Sequence, residues 1–386
     1  LPPIWKTNLT DNEKELVPIV INSKAIYEDD KILCSGYENK ERYLYYLDSQ
    51  DGKVLWKWND VLGILPSQII KDPLDIESEN LFQYNNLLYF NYSTSSYILN
   101  LDNGSTISKY KVPLARNGRF NVGFGSTIYS IGSDYNNKED EKIYISSINP
   151  IQKETPFLLP NYTLTKNVRF NGYGRIYSQI AFKQDNQQFL AFTIINQISA
   201  DVPNNTPGVI ELNLYNLTKK GWVYQKMPVR TSGTSIGGFD LIYKDKQIYF
   251  MSSDYVYCHN ALTGDEKWAN RIGSAPLTSR MTLQNNKLYA ACEDRFLYCL
   301  DINTGQTLWK EQNTGTCSPI SYLNGVLYYL GGGDGKLHAV DADTGKHLWK
   351  LTSPNLTKNV GAFFYGVCAA VPGKNGQKGR VIGTTG

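Results

Sequence analysis

Residues able to do chemistry are few and scattered in this chain. Three histidines (His259, His338 and His347) and six cysteines are spread over 386 residues, and none has the Cys-x-x-Cys or His-x-x-x-His spacing of a transition-metal site. No loop is dense enough in carboxylates to converge several oxygens on a hard cation. Gly331-Gly-Gly-Asp-Gly335 has the composition of a phosphate-cradling loop. It precedes the strand-like Lys336-Leu-His-Ala-Val-Asp341 rather than a helix, so it reads as a hairpin turn. The remaining polar chemistry is arginine. Arg116, Arg119, Arg169, Arg175, Arg230, Arg271 and Arg280 stand in segments that lead into strands expected to be innermost. Guanidinium groups converging there would grip carboxylates or an acidic loop of a partner. The competing reading is structural, each arginine pairing with a carboxylate of a neighbouring repeat such as Asp240 or Asp254.

What must position these residues is a repeat. Cys258-His-Asn-Ala-Leu-Thr-Gly-Asp-Glu-Lys-Trp268, Cys299-Leu-Asp-Ile-Asn-Thr-Gly-Gln-Thr-Leu-Trp309 and Ala339-Val-Asp-Ala-Asp-Thr-Gly-Lys-His-Leu-Trp349 are one motif written three times. Their tryptophans stand 41 and 40 residues apart. A fourth copy, Tyr46-Leu-Asp-Ser-Gln-Asp-Gly-Lys-Val-Leu-Trp56, lies near the start. Between copies come alternating apolar runs and Gly turns, as in Gly325-Val-Leu-Tyr-Tyr-Leu-Gly331, which spell a four-stranded meander. Four-stranded units at this period imply propeller blades. Weaker copies fall at Tyr97–Gly104, Lys142–Pro150 and Ile210–Thr218, the last followed by Gly221 and Trp222, and an eighth unit follows Trp349. The expectation is one all-β propeller domain over 1–386, with eight blades and seven as the alternative. Residues 1–10, containing Ile4-Trp5-Lys6-Thr7, are expected to complete the last blade, and 59–80 to form a long inter-blade loop.

The motif of a small residue, then Asp, then Thr-Gly, then Trp four residues after the Gly resembles the tryptophan-docking motif of the PQQ-like (quinoprotein-type) β-propeller family. The resemblance implies that Trp56, Trp268, Trp309 and Trp349 pack on neighbouring blades against the turns of Gly52, Gly264, Gly305 and Gly345. Ala339, Cys258 and Cys299 fill the small-residue slot, and Tyr46 departs from it. Quinone-dependent dehydrogenases of this family carry a vicinal cysteine pair and a calcium cage. This chain has no Cys-Cys pair, so neither a catalytic residue nor a cofactor is expected.

The chain is similar to the propeller lipoprotein of the outer-membrane protein assembly machinery. That resemblance implies a non-catalytic, exported docking scaffold, periplasmic or attached to the outer membrane, with envelope proteins as partners and a lipid anchor upstream of Leu1. Candidate contact residues are Arg116, Arg119, Arg169, Tyr173, Arg175, Arg230 and Arg280. A glycan-binding propeller is the alternative, with Tyr173 and Tyr177 stacking sugars. Composition restricts the partners further. A net charge of +3, with 19% charged and 41% apolar residues, gives neither a nucleic-acid groove nor a polybasic membrane patch. No apolar run approaches the length of a membrane-spanning helix. The cysteines are expected to be buried free thiols, with Cys299 opposite Ala290 in the hairpin it shares with Cys292.

Overall fold

A computed structural model describes residues 4, 6, 7, 9, 31–38, 41–59, 81–92, 95–111, 120–124, 127–133, 142–148, 157–163, 166–167, 172–173, 175–196, 209–229, 241–252, 254–273, 280–315, 317–353, 368–373, 376 and 378–383. Every regular element among them is a β-strand, and each sheet is an antiparallel meander in chain order. Four-stranded sheets span 81–111, 120–163, 175–229, 242–271, 282–312 and 321–352. The fold is an all-β propeller.

Two turn chemistries build each blade. The first hairpin closes on two residues with positive φ, as at Asn85–Asn86, Asp185–Asn186, Asp245–Lys246, Asn285–Asn286 and Asn324–Gly325. Both central residues of a type I′ turn need that region, which Asn, Asp and Gly enter at least cost. The second turn is organised by an Asx side chain. Asp48, Asn100, Asn216, Asn260, Asp301 and Asp341 each accept backbone N–H groups two or three residues on. Gly52, Gly104, Gly264, Gly305 and Gly345 follow four residues later, donating their N–H back to the Asx carbonyl at 2.8–2.9 Å with φ between 70° and 77°. The Thr-Gly of the sequence motif is therefore the left-handed end of an Asx-capped turn.

The blade count corrects the expectation. Among the described residues six sheets carry all four strands, not eight or seven; the 31–58 sheet has three, and the last is a pair, Cys368–Val371 with Arg380–Gly383. A short pair, Lys166–Asn167 with Gly172–Tyr173, adds no blade. Closure by the terminal strands is not shown among the described residues either. Ile4, Lys6, Thr7 and Leu9 are in no strand, and the Thr7 hydroxyl instead donates to the carbonyl of Gly52 at 2.6 Å. The loop expected at 59–80 lies outside the described residues beyond Asn59.

The chain divides into two compact units, Leu1–Tyr110 with Glu311–Gly386, and Lys111–Lys310. In the first, Leu33, Leu44, Trp56, Leu88 and Leu99 form a core that Ala369 and Ile382 join. In the second, Ile210, Leu212, Ile248 and Tyr257 fill one inter-blade core, and Met251, Val256, Leu288 and Leu300 another. All six cysteines are free and buried. Burial pushes the Cys258 thiol up to about 11, so it packs as an apolar group rather than reacting as a thiolate. Cys299 lies opposite Tyr289, not Ala290, because Glu293 lengthens the turn and Cys292 pairs with Phe296.

Candidate interaction surface and blade joints

The joints between blades are the best-defined functional geometry of the scaffold. Trp56 is 8% exposed and donates its indole N–H to the Leu101 carbonyl at 2.7 Å. Its ring covers Gly104 so closely that an added Cβ would sit 2.7 Å from the indole. Two residues on, and so on the same face of the strand, Trp58 donates to the Thr106 hydroxyl at 2.9 Å. The 242–271 sheet repeats the arrangement. Trp268 donates to the Ile302 carbonyl at 3.0 Å and covers Gly305, while Asn270 donates to the Gly305 carbonyl at 2.6 Å. Leu101 and Ile302 both stand three residues before the turn glycine, so one contact recurs at two joints. Tyr46, which breaks the small-residue rule, stacks on Trp56 of its own sheet with centroids 5.0 Å apart.

One expectation about these aromatics is corrected. Trp349 is 40% exposed rather than buried, lying against Tyr328 of its own sheet at 5.9 Å. In the 175–229 sheet Trp222 lies edge-on to Tyr215 at 5.2 Å. The neighbouring turn is reached by Tyr224, whose hydroxyl donates to the Ala261 carbonyl at 3.1 Å, and by Met227, which lies on Gly264. A sequence signal for this exists. The joint aromatic stands eight residues after the turn Asx in Asp48/Trp56 and Asn260/Trp268, and Asn216 then selects Tyr224. Counting from Gly221 misses it, because the left-handed turn position of this blade is held by Lys220 at φ 54°.

The candidate arginines are not assembled into one site by the described residues. Arg116, Arg119, Arg169 and Arg230 lie outside them. Tyr173 and Arg175 are placed by backbone alone, Tyr173 opposite Lys166 and Arg175 opposite Ile195. Arg280 is half-buried just before the strand Thr282–Gln284. Arg271 is a structural ion pair, its Nε 2.6 Å from the Asp254 carboxylate, with the partner in its own sheet rather than a neighbouring one. That carboxylate raises the Arg271 pKa further above its ordinary value.

Asp254 belongs to a series. Asp294 and Asp334 hold the corresponding turns of the next two blades, and each binds a donor of its own sheet. Asp294 accepts from the Tyr298 hydroxyl at 2.5 Å, and Asp334 from His338 Nε2 at 2.9 Å. His338 is fully buried and stacked on Tyr329 at 4.7 Å. Burial pulls its basicity down, with Asp334 working against the shift, so the neutral ring donates to the carboxylate. The position held by Tyr298 in one blade is held by His338 in the next, which marks both as structural. The glycine-rich Gly331–Gly335 segment is the hairpin turn around this pair. A Cβ on Gly331 would meet the Asp334 carboxylate, His338 Nε2 and the Thr314 hydroxyl at 2.6–2.7 Å. Among the described residues, no cluster of three or more His, Cys, Asp or Glu is placed to hold a metal ion. No described helix is long and apolar enough to cross a membrane, which says nothing of β-barrels.

Residues 226–364, about a third of the chain, match the family described as outer membrane protein assembly factor BamB. No curated protein matches the chain in sequence. Among solved structures, BamB from Moraxella catarrhalis is 13% identical with a TM-score of 0.50, covering 83% of this chain and 81% of that one. Sqt1 of Saccharomyces cerevisiae is 12% identical with a TM-score of 0.60 over 98% and 96% of the two chains. A quinohemoprotein alcohol dehydrogenase from Pseudomonas putida HK5 is 10% identical with a TM-score of 0.60, covering 92% of this chain and 68% of that one. At such identities these neighbours share the fold alone. Over residues 226–364 the repeats of this chain are therefore similar to those of the PQQ-like β-propeller family.

Proposed function

We propose that this propeller is a non-catalytic, exported scaffold that docks an envelope protein, in the manner of an outer-membrane assembly factor. The observation that carries the reading is the family match over 226–364, which falls on the most regular blades. The Trp268 joint ties the 242–271 sheet to the 282–312 sheet, and Tyr224 ties the 175–229 sheet to the 242–271 sheet. The partner surface is assigned to the less regular segment between Leu81 and Tyr224, where loops on a rigid support are free to diverge. There Arg116, Arg119, Arg169, Tyr173 and Arg175 offer charge-assisted contacts to an acidic partner, with Arg230 and Arg280 alongside. Attachment through a lipid upstream of Leu1 belongs to the same proposal.

The test is recovery of partners from envelope membranes under mild detergent, using the wild-type chain and an Arg169→Glu/Arg175→Glu variant. Specific capture of a β-barrel or another envelope protein, weakened in the variant at unchanged melting temperature, supports the scaffold. A variant that melts early with capture lost only on unfolding makes the arginines structural. Retention on an oligosaccharide column with no protein captured selects the glycan reading. Stoichiometric quinone binding with alcohol-dependent dye reduction overturns the non-catalytic assignment.

A further inference from the structure

The joint between the 175–229 and 242–271 sheets covers its turn glycine with a different chemistry from the other two joints above. At Gly104 and Gly305 the cover is an indole. At Gly264 it is a thioether: a Cβ built there would run into the Met227 sulfur and come within 2.5 Å of its methyl carbon. The backbone puts the sulfur in this place. Lys226 takes φ 54° inside the strand Gly221–Val229, and its N–H donates to the Asn213 side chain at 2.7 Å. In a regular strand residues three apart point to opposite faces, but a bulge restores them to one. Tyr224 and Met227 therefore both reach the neighbouring turn, one through a hydrogen bond and one through sulfur.

Exposure then singles this residue out. The chain has three methionines; Met251 and Met281 are 1% and 3% exposed. Met227 is only half-buried, between exposed Lys226 and exposed Pro228. A small oxidant arriving from solvent meets one thioether and is kept from the other two.

We propose that Met227 is a redox-modification site and that its sulfoxide loosens this joint. With hypochlorous acid as oxidant, a sulfur lone pair attacks the oxidant's oxygen, the S–O bond forms as the O–Cl bond breaks, and chloride leaves with the proton passing to water. Sulfur loses two electrons and chlorine gains them. The product is polar and chiral where the thioether was apolar and flexible, and methionine sulfoxide reductase reverses it. Gly264 presents no side chain to hydrogen-bond the new oxygen, so the group must turn to solvent and leave the turn uncovered. This inference does not depend on the scaffold reading.

The experiment treats the purified chain with stoichiometric hypochlorous acid, locates added oxygen by peptide mass spectrometry and follows thermal melting. Oxygen is expected on Met227 well before Met251 or Met281. The melting midpoint should fall by about 2–4 °C, the shift from losing one modest contact in a unit of this size, and recover after reductase treatment. Met227→Leu should melt like the parent when untreated, as volume-conserving apolar exchanges do, and lose the response to oxidant. Three outcomes overturn the proposal: oxidation of Met251 or Met281 as fast as Met227, Met227 sulfoxide with unchanged melting, or a Met227→Leu chain as oxidant-sensitive as the parent.

Discussion

Replacing Trp56 by alanine removes the indole that bridges the first two described blades, and the structure allows its cost to be worked out. The side chain is 8% exposed. A tryptophan buries about 150–250 Å², which at ~25 cal/mol per Å² is roughly 4–6 kcal/mol of transfer free energy. Partial collapse around the cavity brings this toward the about 3–5 kcal/mol usual for such truncations. The Leu101 carbonyl also loses its donor. Trp349 has the same place in the motif but is 40% exposed, so Trp349→Ala should cost roughly two-thirds as much. Gly104→Ala attacks the joint from the other side. It forces a left-handed φ of 70° on a residue with a Cβ and drives that Cβ to 2.7 Å from the indole. Melting midpoints are the suitable readout, because a chain of two units need not unfold in one step. Trp56→Ala should fall by roughly 6–20 °C, taking about 2–4 °C for each kcal/mol. Equal shifts for Trp56→Ala and Trp349→Ala, or a silent Gly104→Ala, would refute the joint geometry.

Acid should weaken the fold through its buried imidazoles. Burial holds His259 and His338 below the ordinary imidazole pKa, so between that value and the folded one the unfolded chain binds protons that the native chain refuses. Their contribution is therefore fully present above about pH 6.5 and is lost as pH falls toward the folded values; a His259→Gln/His338→Gln chain whose melting retains the parental pH slope would remove this cause. Tyr224→Phe should lower the melting midpoint by about 2–4 °C, the size of one hydrogen bond of about 1 kcal/mol, because only the hydroxyl to Ala261 is lost. An unshifted midpoint would mean that Met227 alone holds that joint.

The turns were the most legible part of this molecule. Asp-Thr-Gly and Asn-x-x-x-Gly announce a backbone that needs a side-chain acceptor at one end and positive φ at the other, and both needs are local. Strand alternation was equally plain at 258–349, where the apolar runs are short and bounded by such turns. Blade completeness was not legible, because pairing is non-local: Cys368–Val371 and Arg380–Gly383 look like the middle of a blade in sequence, and only the sheet shows that they pair with each other alone among the described strands. The Asp254–Arg271 contact was half visible. Both residues stood out, but spacing could not tell a partner in the same sheet from one in the next.

The joint at Gly264 shows why the rest was hidden. The motif is defined by an aromatic at fixed spacing, yet what the turn requires is weaker: something broad over the glycine and a donor for the carbonyl three residues before it. Trp56 and Trp268 meet both needs with one ring. Tyr224 and Met227 divide them, the hydroxyl serving Ala261 and the sulfur covering Gly264, and the bulge at Lys226 makes the division possible by bringing residues three apart onto one face. Sequence periodicity cannot register such a division, since the bulge removes the two-residue alternation that would align the pair. The same division makes the joint chemically distinct, because an indole covers a turn without being easily altered, whereas a thioether covers it only while it stays reduced.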